Sequence, residues 1–216
     1  VKNSINLFSL KNKVIIITGG AGYIGSHVAH LLIDKGHSVT IIDNLTTGNK
    51  RLIPKKAKLH ICDIANKSKV SEIINKQKFN LVMHFAGLKK VNESVQNPCL
   101  YWQSNLLNFI NLLEVMEAFN CKTIVFSSSA TIYGQSNKNL IEENDPHNPI
   151  NPYGNTKLAM EILLKDIYNS APNEWRIANL RYFNPIGSHP SGLIGESPYG
   201  NPNNICLLYT SDAADE

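Results

Sequence analysis

The sequence predicts a doubly wound α/β fold built on a parallel sheet. Short β-branched strands alternate with helix-like segments from residue 13 to residue 180. A glycine-rich turn separates the first strand from the first helix. The segments between later strands are long enough to cross over the sheet, as right-handed connections between parallel strands require. The 216 residues suffice for one large domain, or one domain and part of another. At 43% hydrophobic and 18% charged, the chain can bury a core.

The elements follow in order. Residues 13–18 read as a buried strand, β-branched and without polar alternation. After the glycine turn a helix spans about 23–35, closed by Gly36. Strands follow at 38–43 and 58–62, then a helix over 67–76 and a strand over 80–85. Pro98 suits the first turn of a long helix reaching about 119. In it Leu106, Ile110, Leu113 and Met116 recur at helical spacing and face the core. A fifth strand spans 123–126. Pro152 lies near the start of a helix over 153–168, and a sixth strand spans 176–180. From residue 186 the chain is rich in proline and glycine and reads as irregular.

Gly19, Gly22 and Gly25 form G-x-x-G-x-x-G between strand and helix. Glycine there permits a tight turn and close backbone approach to a pyrophosphate. The first helical N–H groups, around Tyr23 and Ile24, suit phosphate oxygens. Asp43 ends the second strand, where an acid accepts the adenosine ribose hydroxyls and repels a 2′-phosphate. NAD is therefore favoured over NADP; the plainer role for Asp43 is a turn beside Asn44. Asp63, followed by Ile64, either approaches the adenine or caps a helix.

Tyr153 and Lys157 are four apart and share a helix face. An ammonium beside a phenol favours the phenolate and makes it a usable base. Ser129, at a strand's carboxyl end, lies where ligands bind in open α/β sheets. It could equally cap a helix or form a turn.

Other features exclude functions. The net charge of +4 is small, and the densest basic patch, Lys55, Lys56 and Lys58, is too short for a nucleic-acid surface. The aliphatic run 14–17 is too short to span a bilayer, and residues 1–13 lack the apolar region of a secretory signal. Cys62, Cys99, Cys121 and Cys206 form no C-x-x-C pair, and read as reduced, mostly buried thiols. The histidines show no metal-binding pattern, so no metal is expected. Tyr101 and Trp102 read as packing residues.

Together these residues resemble the extended short-chain dehydrogenase/reductase family. The matching text is residues 18–27, 43–45, 84–89, 93–96, 127–134, 153–157 and 180–185, and the likeness runs roughly from 13 to 204. It implies a Rossmann-type NAD-binding domain over 1–184, the start of a substrate-binding lobe over 185–204, and a non-matching tail over 205–216. By resemblance Tyr153 is the acid–base. Lys157 binds the nicotinamide ribose and lowers the Tyr153 pKa, and Ser129 hydrogen-bonds the reacting sugar hydroxyl. Asn44, Asp63, Ile64, Phe85, Ala86, Gly87, Lys89, Asn105 and Phe183 border the cofactor. Lys89, Thr131, Tyr182, Asn184 and Asn204 face a UDP-sugar substrate.

The implied activity is NAD-dependent interconversion of UDP-glucose and UDP-galactose, in galactose metabolism. The C4 hydroxyl is oxidised, the 4-keto sugar rotates, and C4 is reduced from its other face. Related dehydratases carry an acid in the stretch that here reads Ser129-Ala130-Thr131-Ile132. Dehydration needs a proton donor to the departing hydroxyl, so its absence favours epimerisation. Two other readings stand: an epimerase for N-acetylated or uronic UDP-sugars, and a non-catalytic NAD-binding module. The intact Ser129, Tyr153 and Lys157 oppose the second. The resemblance further implies a homodimer through a helix pair and a cytoplasmic location. The last ten residues resemble a translated adapter sequence. The expectation is therefore a truncated product, its substrate lobe mostly missing, that binds NAD with little epimerase activity.

Overall fold

The computed structural model describes residues 12–136 and 138–196. Six parallel strands form one sheet in the order β3-β2-β1-β4-β5-β6. They are β1 (Val14–Thr18), β2 (Ser38–Asp43), β3 (Lys58–Ile61), β4 (Leu81–His84), β5 (Thr123–Ser129) and β6 (Arg176–Tyr182). The helices are α1 (Tyr23–Asp34), α2 (Lys67–Asn75), α3 (Val91–Gln96), α4 (Pro98–Tyr101), α5 (Asn108–Ala118) and α6 (Pro152–Ser170). The order reverses between β1 and β4, and ligands of such sheets bind outside the strand carboxyl ends at that reversal.

Successive residues of a strand point to opposite faces. Ile16, Ile42, Val82, Ile124 and Phe126 face a core shared with buried residues of α2, α5 and α6. Ile15, Ile17, Ile41, Leu81, Met83 and Val125 face the other core, against which α1 packs Ala29. Both faces are covered, which explains strands without polar alternation.

The sequence placed all six strands, but two ran longer than expected. β5 continues through Ser127, Ser128 and Ser129, and β6 through Arg181 and Tyr182, because these residues pair with one another in register. Pairing overrides the weak strand tendency of serine. The helix expected over 98–119 is α4, then π-helical turns over Trp102–Leu107, then α5. The widened turns rotate the apolar stripe. Phe109, Leu112, Leu113, Val115 and Met116 are buried, while Leu106 and Ile110 are only partly so. Tyr101 is fully buried, as expected, but Trp102 is 39% exposed and does not pack inside. Cys62 and Cys121 are buried and Cys99 is exposed.

Residues 185–196 contain neither helix nor strand. Gly187 accepts a hydrogen bond from the Tyr23 hydroxyl at 2.5 Å, which draws this segment to the start of α1. Asn204, Cys206 and the expected tail lie outside the described residues. Among the described residues, no helix is long and apolar enough to cross a membrane.

Candidate active site

The glycine turn after β1 packs against the chain leaving β4. Gly19 has φ +73°, and a Cβ there would lie 2.5 Å from the Ala86 nitrogen. A Cβ on Gly25 would lie 2.3 Å from the Gly19 carbonyl oxygen, so only glycine lets α1 approach the turn this closely. Gly22 stands at the N-cap of α1 and offers no side chain to its first turn, which holds Tyr23 and Ile24. Such a cradle fits a pyrophosphate.

Asp43 is 8% exposed, and its carboxylate accepts the Ala21 N–H at 2.9 Å and the Leu45 N–H at 2.8 Å. A carboxylate has further lone pairs, so it can still accept ribose hydroxyls. Leu45 has φ 60°, an uncommon region for leucine, and that turn aims its N–H at Asp43. Nothing in the sequence signalled this strained residue. Asn44 donates to Asp63 at 2.8 Å, joining the two strand ends. Asp63 also accepts the Ala65 N–H, while Asn66 is the residue that caps α2. Ile64 is buried behind them.

The second group lies at the ends of β5 and β6. Asn151 accepts the Gly154 N–H at 2.8 Å and starts α6, with Pro152 in its first turn. Tyr153 and Lys157 then face β5 one turn apart. The Ser129 hydroxyl stands on the side of Tyr153 and favours its phenolate. Burial raises the Tyr153 pKa and the Ser129 bond opposes that rise. Lys157 is 5% exposed, donates to the Ser127 carbonyl at 2.8 Å, and sits 4.9 Å from the Phe126 ring centre. Burial lowers its pKa to about 8. Its ammonium is directed to the Ser127 carbonyl and lies 5.8 Å from the Tyr153 ring centre.

Around this trio, Tyr101 meets the Tyr153 ring edge-on at 6.5 Å. Its hydroxyl donates to the Lys90 carbonyl or Glu93, at 2.7 and 2.8 Å. Asn105, 1% exposed within the π-helical turns, exchanges hydrogen bonds with Leu88 and donates to Thr156 of α6. It thus clamps the chain after β4, with Phe85, Ala86 and Gly87, to the helix carrying Tyr153. His84, fully buried, bonds Thr18 at 2.7 Å. Burial lowers its pKa to about 3, so it is neutral and structural.

Thr131 donates to Ser129 and stays beside the trio. Tyr182 is half-buried and pairs with Ser129 in register. Phe183 is 67% exposed, and Asn184 is exposed beside it. Lys89 is exposed and pairs with Glu196 at 3.2 Å. A cleft of about 550 Å³ runs beside β6, lined by Tyr133, Ile141, Glu143, Tyr182 and Phe183 among others. The described residues contain no group of three or more His, Cys, Asp or Glu placed to hold a metal ion.

The profile of the NAD dependent epimerase/dehydratase family matches residues 15–197. The chain belongs to that family. It is 44% identical over 203 residues to UDP-glucose 4-epimerase 2 of Oryza sativa, covering 89% of this chain and 50% of that protein. It is 45% identical over 206 residues to UDP-glucose 4-epimerase GEPI48 of Cyamopsis tetragonoloba, covering 91% and 59%. Among solved structures, the UDP-glucose 4-epimerase of Stenotrophomonas maltophila, with bound NAD and formylated UDP-arabinopyranose, superposes with TM-score 0.90 at 37% identity. That match covers 94% of this chain and 62% of the other. The Bifidobacterium longum epimerase, in complex with NAD+ and UDP, gives TM-score 0.85 at 39% identity, covering 89% and 60%. This epimerase-family chain thus spans about half to three fifths of the length of these relatives.

Proposed function

We propose that the chain is the nucleotide-binding part of an NAD-dependent UDP-hexose 4-epimerase, which interconverts UDP-glucose and UDP-galactose. The observation that carries this reading is the grouping of Ser129 at the carboxyl end of β5 with Tyr153 and, one turn on, Lys157 on α6. The names of its relatives point the same way.

The glycine turn and Asp43 hold the dinucleotide, and the Asp43 carboxylate disfavours a 2′-phosphate. NAD, when bound, supplies a reversible hydride acceptor for the sugar's C4. Tyr153 takes the C4 hydroxyl proton and later returns it, so its hydroxyl must reach both epimers. Ser129, beside Tyr153, offers its one proton to steady the reacting hydroxyl. Lys157 anchors the cofactor ribose. By this reading the cofactor domain ends near residue 184 and the sugar lobe begins after it, with Tyr182 and Asn184 toward the UDP-sugar; Asn204 lies outside the described residues. A role in galactose metabolism in the cytoplasm, as a homodimer, follows from the same reading.

Two measurements test it. Fluorescence titration of this chain with NADH and NADPH should show binding with a clear preference for NADH; no binding of NADH refutes the cofactor assignment. In the full-length protein, Tyr153→Phe should lower turnover of UDP-galactose by about a hundredfold or more, with NADH binding kept. Unchanged turnover removes Tyr153 as the base.

A further inference from the structure

The α6 face that carries Tyr153 and Lys157 continues one turn further to Glu161. Glu161 is 6% exposed. Its carboxylate accepts from the Ser128 hydroxyl at 2.5 Å, and from Arg181 Nε and Nη2 at 3.1 and 2.7 Å. Arg181 Nη1 donates to the Tyr133 hydroxyl at 2.6 Å and the Glu143 carbonyl at 2.7 Å. Ser128 and Arg181 are register partners across β5 and β6. The cluster therefore bolts α6 to the ends of both strands, one residue before Ser129.

A buried ion pair adds little stability over apolar residues of equal volume. What this one adds is geometry. Ser129 stands in extended backbone and opens a 3₁₀ turn that ends at Tyr133. Its oxygen accepts from the Thr131 N–H at 3.2 Å and the Thr131 hydroxyl at 3.0 Å. Both acceptor positions are then used, which leaves its proton free on the Tyr153 side. Arg181 grips this turn from both sides, through Glu161 and Ser128 before it and through Tyr133 at its end.

We propose that Glu161 and Arg181 are positioning residues for the reaction, holding the end of β5, with Ser129, against the start of α6, with Tyr153. The proposal rests on the reading of Tyr153 as the acid–base given above. Loosening the cluster lets Ser129 move away from Tyr153 and disfavours the phenolate.

The test uses the chain labelled with [13Cζ]tyrosine, its Tyr153 resonance identified by loss in Tyr153→Phe and followed against pH without NADH. Ser128→Ala removes the strand's tether, and Arg181→Lys keeps the charge but loses the two-pronged grip. Both variants should stay folded by circular dichroism and, being changed away from the glycine turn, bind NADH within about twofold of wild type. Tyr153 should show about threefold less phenolate at a given pH. An unchanged Tyr153 titration in folded Ser128→Ala overturns the proposal, and that variant decides alone if Arg181→Lys unfolds. A displacement shared equally by Tyr101 and Tyr182, or loss of NADH binding, marks general loosening and overturns it too. If wild type fails to bind NADH, the proposed function falls, while the Tyr153 comparison, made without NADH, still decides this one.

Discussion

Around β1 and β2 the groups that would meet a ligand are mostly backbone: the glycine turn, the first N–H groups of α1, and one carboxylate held by two amides. Around β5, α6 and β6 they are side chains: buried Ser129 and Lys157, half-buried Tyr153 and, behind them, buried Glu161 and half-buried Arg181. The first region needs absence of side chains, which close packing enforces. The second needs charges kept inside the protein, each with a partner. The first tolerates almost no added atom; the second tolerates almost no lost partner.

The largest effect should come from breaking the second region. Arg181→Met leaves Glu161 buried without its cation and should cost about 3–5 kcal/mol in chemical denaturation. Replacing both partners by apolar residues should recover most of that loss.

Lys157 sharpens the contrast through pH. Its folded pKa of about 8 lies below the ordinary 10.5. The unfolded chain therefore binds more protons between those values, and wild-type stability rises with pH across that window. Below it the penalty is about 3 kcal/mol. Lys157→Met removes the penalty, so the stability of the variant relative to wild type should fall as pH climbs from 8 to 10.5. Denaturation curves at several pH values check the sign.

In the first region, Gly25→Ala should cost about 1–3 kcal/mol through overpacking and abolish NADH binding. A variant that binds NADH as wild type does would show that the turn is looser than its contacts suggest.

Much of the fold was legible because its signals are local. β-branched runs marked the strands, Pro98 and Pro152 marked helix starts, and the glycine spacing marked the turn. The misses have a common cause. Ser127–Ser129 look unlike strand, yet β6 supplies their hydrogen bonds. The six-residue α3 has no apolar period to read, although it buries Ser94 and supports Tyr101 through Glu93. The π-helical turns follow from no propensity, and they are what carries Asn105 to Leu88 and Thr156. The pairing of Glu161 with Arg181 was not read from the sequence, since nineteen residues separate them.

The sequence by itself determined the strand–helix alternation, the glycine turn and the presence of Asp43, Ser129, Tyr153 and Lys157. Those depend on residue type and on spacing within one element. Only the tertiary structure decided which group Lys157 serves, what balances Glu161, and how Ser129 reaches Tyr153. Each of these is a contact between elements distant in the chain, set by strand register and by burial, which no local pattern encodes.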